Sequence, residues 1–132
     1  MTRSGVTFDI VRRIALALPG VEESTAYGSP ALKFRGRLLA CVPVHRSAEP
    51  GSLVVCVDAN DRAELLAGAP DIYYVTDHYR PYELVLVRLA RLDAETLRDL
   101  LGMAYKLVSR KTANRSPERS RRKSRSQTRT EI

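Results

Sequence analysis

The stretch "PALKFRGRLLACVPV", residues 30 to 44, decides the fold class. Leu32 and Phe34 are separated by one lysine, and an apolar run resumes after Gly36. Apolar residues two apart are typical of a half-buried β-strand, and a glycine between two arginines favours a tight turn. The segment therefore predicts two antiparallel strands joined by a hairpin at this glycine.

Helical periodicity flanks the hairpin on both sides. Apolar residues recur at three- and four-residue steps from Thr7 to Leu18, where Pro19–Gly20 would end a helix. The same spacing returns after Asp93 and continues through Val108. A shorter helix is predicted for "DRAELLAGA", which begins at residue 61.

Three more strands are predicted from runs of β-branched and apolar residues, at 53–57, 72–75 and 83–89. Residues 22–29 are predicted to form a loop. The element order is therefore α-β-β-β-α-β-β-α, with strands joined mostly by hairpins and helices set apart in sequence. This order favours an α+β fold, a two-layer sandwich in which a twisted, antiparallel five-stranded sheet carries helices on one face.

Excess positive charge is confined to the end of the chain. Residues 1–108 hold 13 Lys and Arg against 13 Asp and Glu, so residues 109–132 carry the whole net charge of +7. This last segment has almost no apolar residues and cannot bury enough surface to offset the entropy lost on ordering. We therefore predict a folded domain over residues 1–110 and a disordered, Arg- and Ser-rich basic tail over residues 111–132.

Sequence motifs for metal binding and catalysis are missing. Cys41 and Cys56 have no second cysteine or histidine at ligand spacing, so both are predicted to be buried, reduced thiols. His45 and His78 lie in separate predicted loops. No nucleophile elbow and no glycine-rich phosphate loop is present. We expect a protein without enzymatic activity, metal or cofactor.

Basic residues in the predicted turns and in the tail point to nucleic acid, because Lys and Arg supply most of the affinity by neutralising phosphates. Hairpins that project basic and aromatic residues can contact a duplex or stack on single-stranded bases. Each feature also has a simpler interpretation as a solvated terminus, a polar turn or cross-strand packing. The candidate contact residues are Lys33, Arg35, Arg37, His78, Tyr79, Arg80, Arg110, Lys111, Arg115, Arg119, Arg121, Arg122, Lys123 and Arg125.

The tyrosine-rich stretch "YYVTDHYRPY", residues 73 to 82, spans the end of one predicted strand, a loop and the start of the next strand. Tyr73 and Tyr74 have high β propensity and point to opposite faces of a strand, so at most one of them faces the core. We expect the loop to turn the chain, with Arg80 and Tyr79 exposed at its tip.

Two longer stretches, "ALALPGVEESTAYGSPALKFRGRLLACV" and "DHYRPYELVLVRLARLDAETLRDLLGMAYKLVSRK", resemble the MmcQ/YjbR family. The shared features are a leucine-proline-glycine helix end, a proline before a strand with a phenylalanine and a glycine turn, a histidine-containing loop, a hydrophobic strand and an aromatic residue near the end of the last helix. In this sequence they are Leu18–Pro19–Gly20, Pro30, Phe34, Gly36, His78, Val85 to Leu89 and Tyr105.

The resemblance implies a fold similar to the bacterial frataxin homologue and a DNA-binding role with two hairpin wings. The wings would correspond to the turn at residues 35–37 and the loop at residues 77–82. Two features depart from the family pattern. Tyr82–Glu83 stands where many members place a tryptophan, and the basic tail lies outside the family core.

The leading hypothesis is a non-enzymatic DNA-binding protein of low sequence specificity, which uses basic hairpin tips and the Arg-rich tail. We expect it in the cytoplasm, since no apolar run approaches the length of a membrane span. The alternative is a chaperone-like module that docks peptides on the open face and edge strand of the sheet. A third hypothesis, an enzyme acting through Asp77, His78 and Tyr105, requires these side chains to converge in one pocket.

Overall fold

The computed structural model describes residues 5–114, in which six β-strands and three α-helices follow one another. The predicted tail positions from Arg115 onward lie outside the described residues. In chain order the elements are α1 (Phe8–Leu16), β1 (Val21–Ala26), β2 (Ser29–Phe34), β3 (Arg37–Cys41), β4 (Ser52–Cys56), α2 (Ala59–Gly68), β5 (Tyr73–Tyr74), β6 (Leu84–Arg88), a 3₁₀ turn (Leu89–Arg91) and α3 (Ala94–Asn114).

The fold is α+β, as the sequence predicts, with an antiparallel sheet in the strand order β1-β2-β3-β4-β6-β5. The sheet has six strands rather than five, because residues predicted to be a loop form β1 and a turn. β1 pairs with β2 along its whole length, and Tyr27 and Gly28 make the two-residue turn with φ of 55° and 79°. The sequence did not predict β1, because β1 lies at the edge of the sheet. Polar side chains are expected at an edge, and only Val21 of this strand is buried.

The helices cover one face of the sheet, which confirms the predicted layer arrangement. α1 begins at the predicted cap, where the Ile10 N–H donates to the Thr7 hydroxyl at 3.4 Å. α3 lies along the sheet and contributes the largest share of the helical core. The fully or nearly fully buried residues of this core include Val11, Ala15, Leu32, Leu39, Leu53, Val55, Val85, Val87, Leu97, Leu101, Ala104 and Val108.

The second face of the sheet carries a smaller apolar cluster, which two loops cover in place of helices. These loops connect β3 to β4 and β5 to β6, and we call them the 42–51 loop and the 75–83 loop. Tyr74 of β5 holds the 42–51 loop in place, because its hydroxyl accepts from the Glu49 N–H at 2.7 Å and bonds to the Ser52 hydroxyl of β4 at 2.5 Å. Arg88 stacks on the Tyr74 ring at 4.4 Å and binds the Glu49 carboxylate at 2.8 and 2.9 Å. The second face of the sheet is therefore covered in part by these two loops.

α3 extends through residues 111–114, which the sequence assigned to the tail. The helix continues because Leu107 and Val108 keep its apolar face buried, and because the Lys111 ammonium forms an ion pair with the Glu83 carboxylate. Within residues 5–114, none of the helices combines the length and apolar character that a membrane span requires.

One end of the sheet collects several chain reversals. There β2 turns into β3, β4 ends beside the start of β6, and α3 arrives at Glu83. We call this the Arg35 end of the sheet. The opposite end holds the Tyr27–Gly28 turn and the 3₁₀ turn.

Gly20 provides a test of how α1 is joined to the sheet. Its φ is +84°, and a Cβ there would lie 2.6 Å from Cε1 of Phe34, whose ring is buried against Tyr105. Gly28 has a φ of +79° but open space around it. Each Gly→Ala change should cost about 1–2 kcal/mol through the left-handed backbone, and Gly20→Ala should cost about 1–3 kcal/mol more through overpacking.

Urea unfolding of the two variants measures this difference directly. Equal losses of stability in Gly20→Ala and Gly28→Ala would show that Phe34 does not pack against Gly20 as described.

Candidate nucleic-acid interface

The β2–β3 turn presents the first predicted contact residues. Arg35 and Gly36 form its two corners, with φ of 50° and 83°, as the hairpin prediction requires. Arg35 is exposed, and its guanidinium carbon lies 5.2 Å from the centroid of the Phe34 ring. The Phe34 ring meets Tyr105 of α3 edge-on, with centroids 5.2 Å apart. The turn is therefore held against α3 by aromatic contacts.

The end of α3 brings further cations to the same end of the sheet. Arg110 is exposed, whereas Lys111 is half-buried and neutralised by Glu83. Arg37 begins β3 directly after the turn. It lies close enough to Cys56 at the end of β4 for its charge to act on the pKa of that thiol, in the direction of lowering it. Arg35, Arg37, Arg110 and Lys111 are therefore brought to one end of the fold.

Both cysteines are free thiols, and Cys41 is buried as predicted, whereas Cys56 is only half-buried. Burial raises the pKa of Cys41 to about 11 and the pKa of Cys56 to about 12. Because a thiolate is the reactive and metal-binding form, neither thiol is poised for chemistry near neutral pH. Between residues 5 and 114, no group of three or more His, Cys, Asp or Glu side chains is arranged to hold a metal ion.

The 75–83 loop differs from its prediction. Tyr79 was expected at an exposed tip, but only 8% of its surface is accessible, and it packs with the apolar cluster on the second face of the sheet. Its hydroxyl accepts from the backbone N–H of His45 at 3.2 Å. The prediction for Tyr79 is wrong because no helix covers this face, so an aromatic side chain from the loop fills the space. The loop folds down over the sheet instead of projecting as a wing.

His78 stacks on His45 from the neighbouring loop. Their ring centroids are 3.6 Å apart and their planes differ by 7°. The His45 Nδ1 accepts from the Ser47 N–H at 3.0 Å, and the Ser47 hydroxyl bonds to the Thr76 hydroxyl at 2.8 Å. Desolvation lowers the pKa of His45, and the charges of His78 and Arg46 lower it further. The stacked rings and the Ser47–Thr76 bond thus fasten the two loops to each other.

Arg80 and Lys33 differ from the cations around Arg35 in their surroundings. Arg80 is exposed as predicted, but its Nε lies 3.6 Å from the Asp77 carboxylate, which offsets its charge. Lys33 is half-buried near Cys41, on the second face of the sheet. The structure therefore separates the predicted set into a cationic group around Arg35 and a group on the second face.

The predicted tail residues lie outside the described part of the chain. They are Arg115, Arg119, Arg121, Arg122, Lys123 and Arg125. The described part of α3 reaches the Arg35 end of the sheet.

The three residues of the catalytic hypothesis do not line a common pocket. The Tyr105 hydroxyl donates to the carbonyl of Pro19 at 2.5 Å on the helical side of the sheet. His78 is stacked on His45 on the other side, and the Asp77 carboxylate faces solvent beside Arg80. Asp77, His78 and Tyr105 therefore do not converge.

One cation beside the predicted set was missed. Lys106 is exposed on α3, four residues before Arg110. Residues four apart lie on the same face of a helix, so the helical period already identified through Val108 would have grouped the two.

The family model described as YjbR matches residues 16–107. A crystal structure of Deinococcus radiodurans protein DR2400, described by the domain label DUF419, is similar over 83% of this chain and 85% of that chain. The two chains share 25% sequence identity, and the TM-score is 0.65. No curated protein is similar enough to count as a relative.

The stacked histidines predict a specific titration. His45 should titrate below its ordinary pKa of 6.5. Since its pKa is lower in the folded state, its contribution to stability is present above pH 6.5 and is lost as the pH falls below that value. His78→Ala should return the pKa toward 6.5, whereas His78→Phe keeps a stacked ring and should return it only in part.

NMR titration of the imidazole protons measures each pKa. A His45 pKa at or above 6.5 that does not respond to His78→Ala would show that the two loops do not meet in solution.

Proposed function

The chain belongs to the YjbR family, and on that basis we propose that it binds nucleic acid, most directly DNA, with low sequence specificity. The observation that supports this best is the grouping of Arg35, Arg37 and Arg110 at the end of the sheet where the described chain ends. A strongly basic segment follows at that point. Residues 115–132 contain seven Lys and Arg and two Asp and Glu.

The charges at the Arg35 end favour contact with an external anion. Among residues 5–114, Arg35 and Arg110 take part in none of the ion pairs, while Arg12, Arg13, Arg80, Arg88 and Lys111 all do. An exposed guanidinium without a carboxylate partner is suited to a phosphate oxygen, because its donors match that geometry. The same end of the fold would thus act as an anchor beside the basic segment.

Low specificity follows from the type of contact. Phosphate contacts position a protein on nucleic acid but carry no sequence information. Tyr79, the aromatic residue expected to stack on bases, is buried in the fold. The proposal is therefore one of binding through phosphates, without a catalytic step.

A cytoplasmic setting forms part of the proposal. Cys41 and Cys56 are both unbridged, which is typical of a reducing compartment.

The peptide-docking alternative is less well supported than nucleic-acid binding. The 42–51 and 75–83 loops occupy part of the sheet face that a peptide would need. The long edge strand, β1, exposes Glu22 and Glu23, and charged edge residues oppose pairing with another strand.

A salt titration of duplex DNA binding tests the proposed function. Each neutralised phosphate contributes about −0.9 to the slope of log K against log salt, so about five contacts made by residues 115–132 alone contribute about −4.5. Removal of residues 115–132 should abolish most of this slope. A variant in which every Lys and Arg of that segment is replaced by Gln keeps the length and should behave like the deletion.

A truncated protein that binds as tightly and as salt-dependently as the full chain would contradict the role given to the basic segment. Partner proteins that survive nuclease and about 0.5 M salt, where the Debye length is only a few ångströms, would favour the peptide-docking alternative.

A further inference from the structure

The outward face of α3 adds Lys106 to Arg110, a cation already grouped with Arg35 above. Leu101, Ala104 and Val108 are buried against the sheet. Because a helix has 3.6 residues per turn, Lys106 and Arg110 are turned to the opposite, solvent-facing side. Together with Tyr105 and Ser109 they line a shallow depression of about 510 Å³. We call these four residues the α3 patch.

No acid neutralises the α3 patch from its own helix. Residues 100–114 contain no Asp or Glu, and Asp99 lies about 10 Å from Lys106 along the helix axis, at about 1.5 Å per residue. Glu83 and Glu23, which lie on other elements, are engaged by Lys111 and Arg12. Within the described residues, Lys106 and Arg110 form no ion pair with any carboxylate. The patch is therefore cationic.

The spacing of Lys106 and Arg110 does not stabilise α3. Like charges four residues apart on a helix destabilise it by about 0.2–0.5 kcal/mol. Lys106 also lies two turns before the end of the helix, where the helix dipole contributes little. Neither local stability nor packing accounts for the pair, so an external anion is the better explanation.

The neighbouring residues extend the patch toward the β2–β3 turn. Tyr105 contacts the ring of Phe34, and the guanidinium carbon of Arg35 lies 5.2 Å from the centroid of the same Phe34 ring. Ser109 adds a hydroxyl donor between the two cations. An extended polyanion could thus contact Arg35, Lys106 and Arg110 in succession and continue to the basic segment.

We propose that the α3 patch is a phosphate-contacting surface that holds the nucleic-acid backbone between the Arg35 turn and the basic segment. This inference rests on the proposed function and assigns it a defined surface in the folded domain. Lys106 and Arg110 donate charge-assisted hydrogen bonds to phosphate oxygens, and Ser109 donates a neutral one.

Nucleic acid is favoured over an anionic membrane by the apolar pattern of α3. A helix that lies on a bilayer inserts its apolar face between the lipids. In this protein that face, with Leu97, Leu101 and Val108, is already packed in the core. What remains outside is a polar, cationic surface suited to phosphates in water.

A gain of charge provides the sharpest test. Gly102 lies one helical turn before Lys106, and a side chain there would meet open space, so Gly102→Lys should extend the patch without disturbing the fold. Gly68, the last residue of α2, is equally open and provides the matched control. In the full chain, Gly102→Lys should tighten duplex DNA binding and steepen the salt slope by about 1, and Gly68→Lys should do neither.

Loss of charge should have the opposite effect. Replacing Lys106 and Arg110 by Gln should reduce the slope by about 2 and weaken binding at about 0.1 M salt by at least tenfold. Replacing Arg46 and Arg91 by Gln removes the same charge from exposed positions elsewhere and should change binding much less. Melting curves of the variants show whether the fold is retained.

The outcomes separate the two proposals. If the unaltered chain does not bind duplex DNA, the proposed function fails, and this inference fails with it. If that chain binds but the patch variants match their controls, the inference alone is overturned. Patch variants that lose binding to phosphatidylserine vesicles while duplex binding is unchanged would also overturn it.

Discussion

The burial of one face of α3 against the sheet determines how the remainder of the molecule is arranged. Leu97, Leu101, Ala104 and Val108 are almost completely excluded from solvent, so the rotation of this helix is fixed. The same rotation turns Lys106 and Arg110 outward. The length of α3 carries the chain to the end of the sheet at which Arg35 lies. A hydrophobic constraint thus sets the position of cations that do not touch the core.

The two faces of the sheet are covered differently, one by helices and the other by two loops. This difference affects the cations near each face. On the helical face, the contacts among Phe34, Tyr105 and Gly20 fix the β2–β3 turn relative to α3. On the second face, the loops are fastened by tyrosine hydroxyls and stacked imidazoles, and Arg80 and Arg88 are paired with acids. Arg46 of the 42–51 loop is also exposed, but the cations grouped for an external partner are Arg35 and those of α3.

The spacing of apolar residues in the sequence was enough to predict the helices and strands that bury one face. The spacing of apolar residues predicted α1 and α3, and the alternation around Gly36 predicted the central hairpin, because these signals reflect burial of one face. The β1 strand left little signal, since an edge strand with one buried residue resembles a polar loop. Tyr79 was predicted to be exposed but is buried, because it fills space on the second face of the sheet, which no helix of residues 5–114 covers. Which face lacks a helix depends on the tertiary arrangement and cannot be read from the local sequence. The grouping of Arg35 with α3 likewise required knowledge of how the helix crosses the sheet.

The account as a whole is tested most directly by amide chemical-shift mapping of the full, isotope-labelled chain with a short DNA duplex. It predicts changes at the Arg35–Gly36 turn and along residues 105–111, with the Tyr27–Gly28 turn and Arg91 at the opposite end unaffected. Changes centred on that opposite end, or on the 42–51 loop, would contradict it.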